Sequence, residues 1–192
     1  MKIEILGISE VRWTGADKVT DEDGCFIYSG GEKAEKGVGV MLATETAKSL
    51  KGYWGISERV ILVKLEGKPI NVNIIQAYAP TTESTEEEIE KFYEDLNKAK
   101  LQCKNHEVII TMGDLNAKVG RGRGDVVGPY GLGTRNERGE KWIDWCEENR
   151  LMIVNTWFRQ HPRRLYTWKS PGDLYRNQID YITVNKRFRT QF

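Results

Sequence analysis

Apolar residues along the chain fall mostly in short runs that are separated by glycine, proline, aspartate or asparagine. Runs of this length that are rich in Ile, Val and Tyr are typical of β-strands. The pattern predicts strands at Ile3–Ser9, Cys25–Tyr28, Val38–Ala43, Val60–Leu65, Ile70–Tyr78, Val108–Met112, Leu151–Asn155 and Gln178–Val184. Only four residues, Glu66–Pro69, separate Leu65 from Ile70, and their Gly and Pro predict a hairpin turn.

Two segments have the spacing of amphipathic helices instead. The first follows Thr81–Ser84, where Ser84 and Glu87 predict a capping box and the acidic run that follows suits the positive end of the helix dipole. The second covers Glu137–Asn149 and has an apolar stripe made of Trp142, Ile143, Trp145 and Cys146.

A glycine-rich loop from Gly120 to Gly139 precedes the second helix. In compact domains, loops of this length are often functional. The chain has no internal repeat, no low-complexity tract and no change of composition that marks a boundary. The pattern therefore predicts a single α/β or α+β domain over residues 1–192, built around sheets.

Composition agrees with one globular core, because 39% of the 192 residues are hydrophobic. No run approaches the roughly 18 consecutive apolar residues that a membrane helix needs. Glutamates interrupt the apolar run at the N-terminus, which is not typical of a signal peptide. The three cysteines, Cys25, Cys103 and Cys146, are scattered and odd in number. We therefore expect an intracellular domain without a disulfide framework or a zinc site.

The charges are distributed unevenly along the chain. Residues 1–120 hold 15 Lys and Arg against 20 Asp and Glu, whereas residues 121–192 hold 14 against 8. Arginine dominates the basic half, and its guanidinium suits bidentate contacts with phosphate. The sequence predicts either a polyanion-binding surface there or an ordinary solvated surface, and charge alone favours neither.

Polar residues stand at the ends of several predicted strands. Glu10 follows the first strand, Tyr78 closes the Ile70–Tyr78 strand, and Asp114 and Asn116 come after the Val108–Met112 strand. Asp180 lies inside a strand that is otherwise apolar, and a buried carboxylate has to be paired or hydrogen-bonded. Any one of these residues alone fits a turn or a cap. Together they predict an oxygen-rich site suited to a hard cation such as Mg²⁺.

Other common chemistries lack their motifs. The sequence contains no G-x-x-x-x-G-K-[ST] for a P-loop and no G-x-S-x-G nucleophile elbow. Its two histidines, His106 and His161, have no cysteine cluster beside them and do not support a nucleophilic triad.

Six motifs occur in the order found in the endonuclease/exonuclease/phosphatase superfamily, and the chain resembles that superfamily from residue 5 to residue 185. The motifs are Ile5–Trp13, Gly37–Val40, Gln76–Pro80, Gly113–Asn116, Leu165–Trp168 and Gln178–Ile182. Within the superfamily, the SEVRW and GDLNAKVG segments and residues 128–158 most resemble the endonuclease domain of RTE-type (Bov-B-like) non-LTR retrotransposons.

The resemblance implies a fold and a set of roles. The fold is a four-layer α/β sandwich of two packed sheets flanked by helices. Glu10 matches the metal-binding glutamate, and Asp114 matches the aspartate that orients or deprotonates the attacking water. Asn116 matches the partner of that aspartate at the scissile phosphate, Tyr78 matches a tyrosine that hydrogen-bonds the phosphate, and Asp180 matches an aspartate that orients a histidine. A phosphodiester needs such a cation, donors and base, and Mg²⁺ is expected, with Mn²⁺ as its substitute.

Two features of the family pattern are not found in this sequence. A first strand with an asparagine ligand and a helix would precede the strand that ends at Glu10, and no Ser-Asp-His motif occurs anywhere in the chain. We therefore expect a domain truncated at both ends, with impaired catalysis. Unpaired sheet edges are expected to favour self-association or a complementing segment.

The resemblance also implies DNA as the substrate and hence access to the nucleus. Arg121 and Arg123 lie in the glycine-rich loop, and Arg163 and Arg164 precede Trp168 in a stretch where basic and aromatic residues alternate. In the family, a loop near that stretch lies against nucleic acid, so we expect these five residues to contact DNA, with an affinity that falls steeply with salt. A core position for Trp168 is the alternative.

Three functions are consistent with the sequence. The first is a Mg²⁺-dependent DNA endonuclease domain that nicks one strand for retrotransposition. The second is a domesticated, catalytically impaired domain that binds DNA or a protein partner without cutting. The third is another activity of the superfamily, an abasic-site nuclease or a phosphatase.

Overall fold

The structure is a computed structural model that describes residues 3–191, with side chains through residue 189. These residues form two compact units, divided after Gly113. The strands of the first unit are β1 (Ile5–Ser9), β2 (Ala16–Thr20), β3 (Gly24–Ser29), β4 (Val38–Ala43), β5 (Leu50–Ser57), β6 (Val60–Leu65), β7 (Val72–Tyr78) and β8 (Val108–Asp114). Its helices are α1 (Thr44–Ala47) and α2 (Glu86–Leu101). The last residue of β8, Asp114, begins the second unit.

Strands β1 to β4 form a four-stranded antiparallel sheet in the order β1-β4-β3-β2. β3 and β4 are central and buried, whereas every residue of the edge strand β2 is exposed. The sequence pattern did not predict β2, because a strand with no buried face carries no apolar alternation. Its exposed Asp17 and Lys18 suit an edge strand, where charges discourage further pairing.

The remaining strands of the first unit belong to a second sheet, in the order β5-β6-β7-β8. β6 pairs antiparallel with β5 and with β7, and the hairpin predicted at Glu66–Pro69 joins β6 to β7. β8 runs parallel to β7, because Val108 N donates to Asn71 O at one end and Gly113 lies against Ala77 at the other. Parallel neighbours need a crossover connection, and α2 supplies it while packing on β5, β6 and β7.

The two sheets of the first unit pack face to face over an apolar core. Inward residues of the four-stranded sheet, such as Ile27, Val40 and Leu42, meet Val63 and Ile74 of the second sheet. All of these side chains are fully buried. Burying one such aliphatic side chain stabilises a fold by about 1.5–3 kcal/mol, so this layer supplies much of the stability of the unit.

The N-terminus of α2 differs by one residue from the prediction. The capping box is formed by Thr85 and Glu88, with both reciprocal hydrogen bonds present, and the predicted pair of Ser84 and Glu87 was wrong. Both pairs match the same sequence template. Thr85 is the residue with the extended backbone, φ −69° and ψ 160°, that an N-cap requires.

The second unit is built around one helix and two short antiparallel pairs. Its elements are α3 (Glu137–Glu148), β9 (Leu151–Ile153), β10 (Trp168–Lys169), β11 (Arg176–Asn177) and β12 (Asp180–Asn185). β9 pairs with β12, and β10 pairs with β11. α3 packs on β9 through the predicted stripe, since Trp142, Ile143, Trp145 and Cys146 are all buried.

The prediction of an α/β sandwich with two packed sheets and helices is confirmed. All eight predicted strands are present, although the segment 151–155 is a strand only to Ile153 and then turns into a 3₁₀ helix. The sequence pattern did not predict β2, β5, the β10–β11 pair or the single-turn helix α1. Among the described residues, no helix is both long and apolar enough to cross a bilayer.

The outer face of the four-stranded sheet is apolar. Leu6, Met41, Phe26 and Val19 stand side by side in register across its four strands, and Trp13 packs edge-on against Phe26 at 5.5 Å between ring centroids. Leu6, Trp13 and Val19 are 45%, 48% and 48% exposed. Contiguous exposed apolar surface of this kind is typical of interaction sites.

Replacing Gly113 by alanine should destabilise the first unit severely. Gly113 has φ 142°, and a Cβ on it would lie 1.8 Å from the carbonyl oxygen of Ala77. Gly122 is a matched control, since it also has a positive φ (60°) but no atom within 4 Å of an added Cβ. We expect Gly113→Ala to lower the free energy of unfolding in urea by roughly 3 kcal/mol or more, and Gly122→Ala by about 1 kcal/mol. Equal losses would contradict the close β7–β8 approach.

Candidate active site

Glu10 and Tyr78 meet at one edge of the first unit. Glu10 directly follows β1 and Tyr78 ends β7, and these strands belong to the two different sheets. The Tyr78 hydroxyl donates to Glu10 Oε1 at 2.9 Å. Just before these two residues, Gln76 Nε2 donates to the Ser9 hydroxyl at 3.2 Å. Two successive side-chain bonds therefore hold the ends of β1 and β7 together.

Arg59 contacts both the backbone and the ring of Tyr78. The tyrosine is buried, and its backbone N donates to Arg59 O at 2.9 Å. Arg59 returns a hydrogen bond from Nη1 to Tyr78 O at 3.2 Å, and its guanidinium carbon lies 5.3 Å from the centre of the phenol ring. The hydroxyl thus points at Glu10 from a ring with little freedom to turn.

The backbone around Glu10 has an uncommon conformation. Glu10 and Arg12 both lie in the left-handed region, with φ 57° and 56°. Each such residue costs roughly 1–2 kcal/mol when it is not glycine. The strain is sustained by two backbone bonds to the facing loop, from Val11 N to Gly37 O (3.1 Å) and from Arg12 N to Lys36 O (2.7 Å).

This conformation places the Arg12 guanidinium on Glu10. Arg12 Nη2 donates to Glu10 Oε2 at 2.7 Å, so the two carboxylate oxygens have different partners. The hydrogen bond from Arg12, and then that from Tyr78, lower the pKa of Glu10. Glu10 is therefore an ionised carboxylate at neutral pH. Sequence reasoning missed Arg12, although it lies within the first motif, two residues after Glu10.

In the second unit, Asp114 and Asn116 form a tight turn. Asn116 has φ 46°, a conformation that asparagine tolerates well, and its backbone N donates to Asp114 Oδ1 at 2.9 Å. Between them, Leu115 N donates to Ile179 O at 2.9 Å. That bond fastens the turn to the residue just before Asp180. The structure thus brings the Asp114–Asn116 turn and the start of β12 together.

Asp180 begins β12 and is half-buried. Its backbone N and that of Ile179 both donate to the Thr167 hydroxyl, at 3.2 and 3.1 Å. Burial raises the pKa of the Asp180 carboxyl, and a hydrogen bond with the Thr167 side chain opposes this. Thr167 was not singled out from the sequence, but it lies in the Leu165–Trp168 motif. Within the second unit His161 is turned to Arg163 N and does not bond to Asp180.

The predicted site residues therefore fall into two groups, one in each unit. Glu10 and Tyr78 touch directly, and Asp114, Asn116 and Asp180 lie on segments that are bonded to one another. Their assigned roles stay predictions.

The donors present are compatible with magnesium. Among residues 3–191, no group of three or more His, Cys, Asp and Glu side chains could hold a metal ion by itself. Mg²⁺ is commonly held by only one or two carboxylates together with waters and substrate phosphate. Glu10 is an ionised carboxylate whose side chain is 44% exposed, so one hard oxygen ligand is accessible at this edge.

The five residues predicted to contact DNA differ in how they are held. Arg121 Nε donates to Gly131 O, and Arg123 forms ion pairs with Glu140 and Asp144. Arg163 and Arg164 are exposed, and within the described residues no hydrogen bond or ion pair holds either guanidinium. Trp168 is 39% exposed, which excludes the alternative of a core position.

The β10–β11 hairpin presents further basic and apolar groups. The Tyr166 ring lies beside two cations, with Lys169 Nζ at 5.4 Å and the Arg176 guanidinium carbon at 4.8 Å from its centre. At the tip of the hairpin, Leu174 and Tyr175 are 78% and 69% exposed. An exposed tip of this kind is a surface that a ligand can reach.

Comparison with solved structures identifies the class of fold. The endonuclease domain of TRAS1, a telomere-specific non-LTR retrotransposon, superposes with a TM-score of 0.64 at 13% identity, covering 97% of this chain and 75% of that domain. The AP endonuclease LMAP from Leishmania major gives 0.67 at 11% identity, with 97% and 71% covered. The 3′ phosphatase NExo from Neisseria gives 0.61 at 15% identity, with 97% and 78% covered. The chain has the fold of the endonuclease/exonuclease/phosphatase proteins.

Closer similarity in sequence is found to craniofacial development protein 2. The chain is 41% identical to that protein from Bos taurus and 40% identical to the one from Tragulus javanicus, in each case over 99% of this chain. It spans about a third of the length of these relatives. No protein-family model matches the chain.

Replacing Asp180 by asparagine should stabilise the second unit at neutral pH. The pKa of Asp180 is raised from its ordinary 3.8 by burial, so the unfolded chain loses this proton at a lower pH than the folded chain does. The contribution of Asp180 to stability is therefore fully present below about 3.8 and is lost as pH rises through the folded pKa. We expect Asp180→Asn to raise the Tm at pH 7 and to leave it nearly unchanged near pH 3. A stabilisation that is independent of pH would contradict this account.

Proposed function

We propose that the chain is a Mg²⁺-dependent phosphodiester hydrolase of the retrotransposon type that nicks one strand of DNA. The observation that carries the proposal is the bond between the Tyr78 hydroxyl and the ionised Glu10 carboxylate at the ends of two packed sheets. The fold shared with a retrotransposon endonuclease domain, an AP endonuclease and a 3′ phosphatase supports it. Nicking of DNA implies nuclear localisation, which belongs to the same proposal.

The roles follow from the chemistry of each side chain. Glu10 would hold Mg²⁺, which supplies charge stabilisation at the scissile phosphate when bound. Asp114 orients the attacking water and accepts its proton, and the Asp114–Asn116 turn fixes the direction of that carboxylate. The Tyr78 hydroxyl and the Asn116 amide donate hydrogen bonds to phosphate oxygens as charge develops on them.

A binding domain with impaired catalysis is the second candidate. The described contacts to the Asp180 carboxyl come from Thr167, and the one histidine of the second unit bonds elsewhere. Loss of a single catalytic donor commonly costs orders of magnitude in rate, so a domain of this fold can keep its affinity for DNA while it loses turnover. DNA affinity without turnover would identify this candidate.

The neighbours LMAP and NExo favour a third candidate, an abasic-site nuclease or a phosphatase. Cleavage confined to a duplex with one abasic site, or release of a 3′ phosphate, would identify it. As to partners, the edge strand β1, which pairs with β4 on one side, and the apolar outer face of the four-stranded sheet support self-association or a complementing segment, which stays a prediction.

Nicking of supercoiled plasmid tests the proposed activity. We expect Mg²⁺- or Mn²⁺-dependent conversion to the open circle, abolished by EDTA, and lowered at least 100-fold by Asp114→Ala because the water-activating base is removed. Asp125→Ala is the matched control, since Asp125 is an exposed aspartate of the same unit that pairs with Lys186. Equal rates in the two variants would assign the nicking to a contaminant. The same proteins assayed on abasic and 3′-phosphate duplexes separate the third candidate.

The salt dependence of DNA binding tests the basic surface. The double variant Arg163→Gln/Arg164→Gln removes two exposed guanidinium groups, so we expect weaker binding and a decrease of about 2 in the slope of log affinity against log salt. Arg123→Gln should change the slope less, because Glu140 and Asp144 already neutralise Arg123. Fluorescence anisotropy of a labelled duplex measures both. A larger effect at Arg123 would place DNA on the glycine-rich loop instead.

A further inference from the structure

We propose that Arg12 binds the substrate phosphate, and that its guanidinium neutralises Glu10 only while no cation is bound there. The inference rests on the proposed function, in which Glu10 is a metal ligand. Its basis is the contact of Arg12 Nη2 with Glu10 Oε2 at 2.7 Å, on the carboxylate oxygen that Tyr78 does not occupy. A cation on that oxygen and the guanidinium would compete for the same place.

The stability gained from the ion pair between Arg12 and Glu10 is too small to explain the strained backbone that brings the two side chains together. The side chains of Arg12 and Glu10 are 65% and 44% exposed, and exposed pairs contribute little to stability. Two left-handed residues nevertheless hold the pair, fastened by backbone bonds from Val11 and Arg12 to the facing loop. Backbone strain that is not offset by a stabilising contact is found mainly at functional sites. The strain places a guanidinium two residues from the proposed metal ligand.

The guanidinium has donors to spare for an anion. Of its five N–H groups, the described residues accept one, through Glu10. The side chain is 65% exposed, and its planar guanidinium suits the paired oxygens of a phosphate. Arg12 can therefore leave Glu10 for substrate at small cost. Metal and DNA then assist each other, since occupancy of Glu10 releases the phosphate-binding group.

The experiment measures Mn²⁺ and DNA separately, in the Asp114→Ala background so that no strand is cut. Mn²⁺ alone is titrated by the paramagnetic resonance signal of the free ion, and a labelled duplex is titrated by anisotropy with and without Mn²⁺. The variants are Arg12→Gln, Arg12→Lys and Glu10→Gln. Lys36→Gln is the matched control, because Lys36 is a neighbouring cation whose side chain pairs with Glu58 and not with Glu10.

We expect Arg12→Gln to bind Mn²⁺ about 3–5-fold more tightly, since the competing cation is gone. It should bind DNA about 10-fold more weakly when Mn²⁺ is present, with the salt slope reduced by about one. In Arg12→Gln, Mn²⁺ should no longer increase the affinity for DNA as it does in the protein that keeps Arg12. Arg12→Lys should keep part of that gain, and it serves as the test if Arg12→Gln does not fold. Lys36→Gln should leave the gain intact.

Two results would overturn the inference. One is weaker or unchanged Mn²⁺ binding in Arg12→Gln, which would make Arg12 a support for the loop. The other is a gain from Mn²⁺ that survives in Arg12→Gln, which would place the phosphate elsewhere. Failure of the proposed function has a different signature, because Glu10→Gln would then leave Mn²⁺ binding unchanged.

Discussion

The hydrogen bond from Tyr78 to Glu10 joins strands of two different sheets, so it exists only if the sheets keep their separation. Face-to-face sheets lie roughly 10 Å apart, at a distance set by the side chains between them. Tyr78 itself belongs to that apolar core, together with Ile27, Val40 and Ile74. One residue therefore completes the packing with its ring and reaches the functional edge with its hydroxyl. Because a close-packed core resists compression, the core fixes the hydroxyl–carboxylate distance as firmly as it fixes the fold.

In each unit, conformations and charges that are unfavourable for stability occur at the candidate site residues. Glu10, Arg12 and Asn116 have left-handed backbones, and Asp180 keeps a half-buried carboxyl whose charged form is disfavoured. Each is a cost of order 1 kcal/mol, which a layer of fully buried aliphatic side chains can sustain. A chain selected only for stability would relieve them with glycine, or with asparagine in place of aspartate. Their co-occurrence on the motifs that resemble a nuclease therefore supports a functional reading.

An element could be predicted from the sequence where its burial produced a regular pattern of apolar and polar residues. Strands with a buried face, such as Val38–Ala43 and Val60–Leu65, were predicted with the observed bounds. β2 is exposed on both faces and β5 is interrupted by bulges, so neither shows the alternation that marks a strand. Glu10, Tyr78 and Asp114 could be singled out because each is a polar residue that ends or follows one of these predicted strands. Arg12 and Thr167 were not, because a positive φ and a shared hydroxyl follow from tertiary contacts and leave no mark in hydrophobic periodicity.

The net charge of a segment did not show which of its arginines are available to bind a phosphate. The excess of arginine after residue 120 left a polyanion-binding surface and an ordinary solvated surface equally open. In the structure, Arg123 is neutralised by two carboxylates of α3, and Arg121 is bonded to a backbone carbonyl. A phosphate responds to the local field within about a Debye length, roughly 8 Å at physiological salt, and not to the net charge of half a chain. Among the described residues, Arg163 and Arg164 form no ion pair, and Arg12 pairs with a carboxylate that is itself proposed to bind a cation. In the latter case the pairing itself is informative, because a strained backbone holds an exposed arginine on a proposed metal ligand, where a bound cation would compete with it.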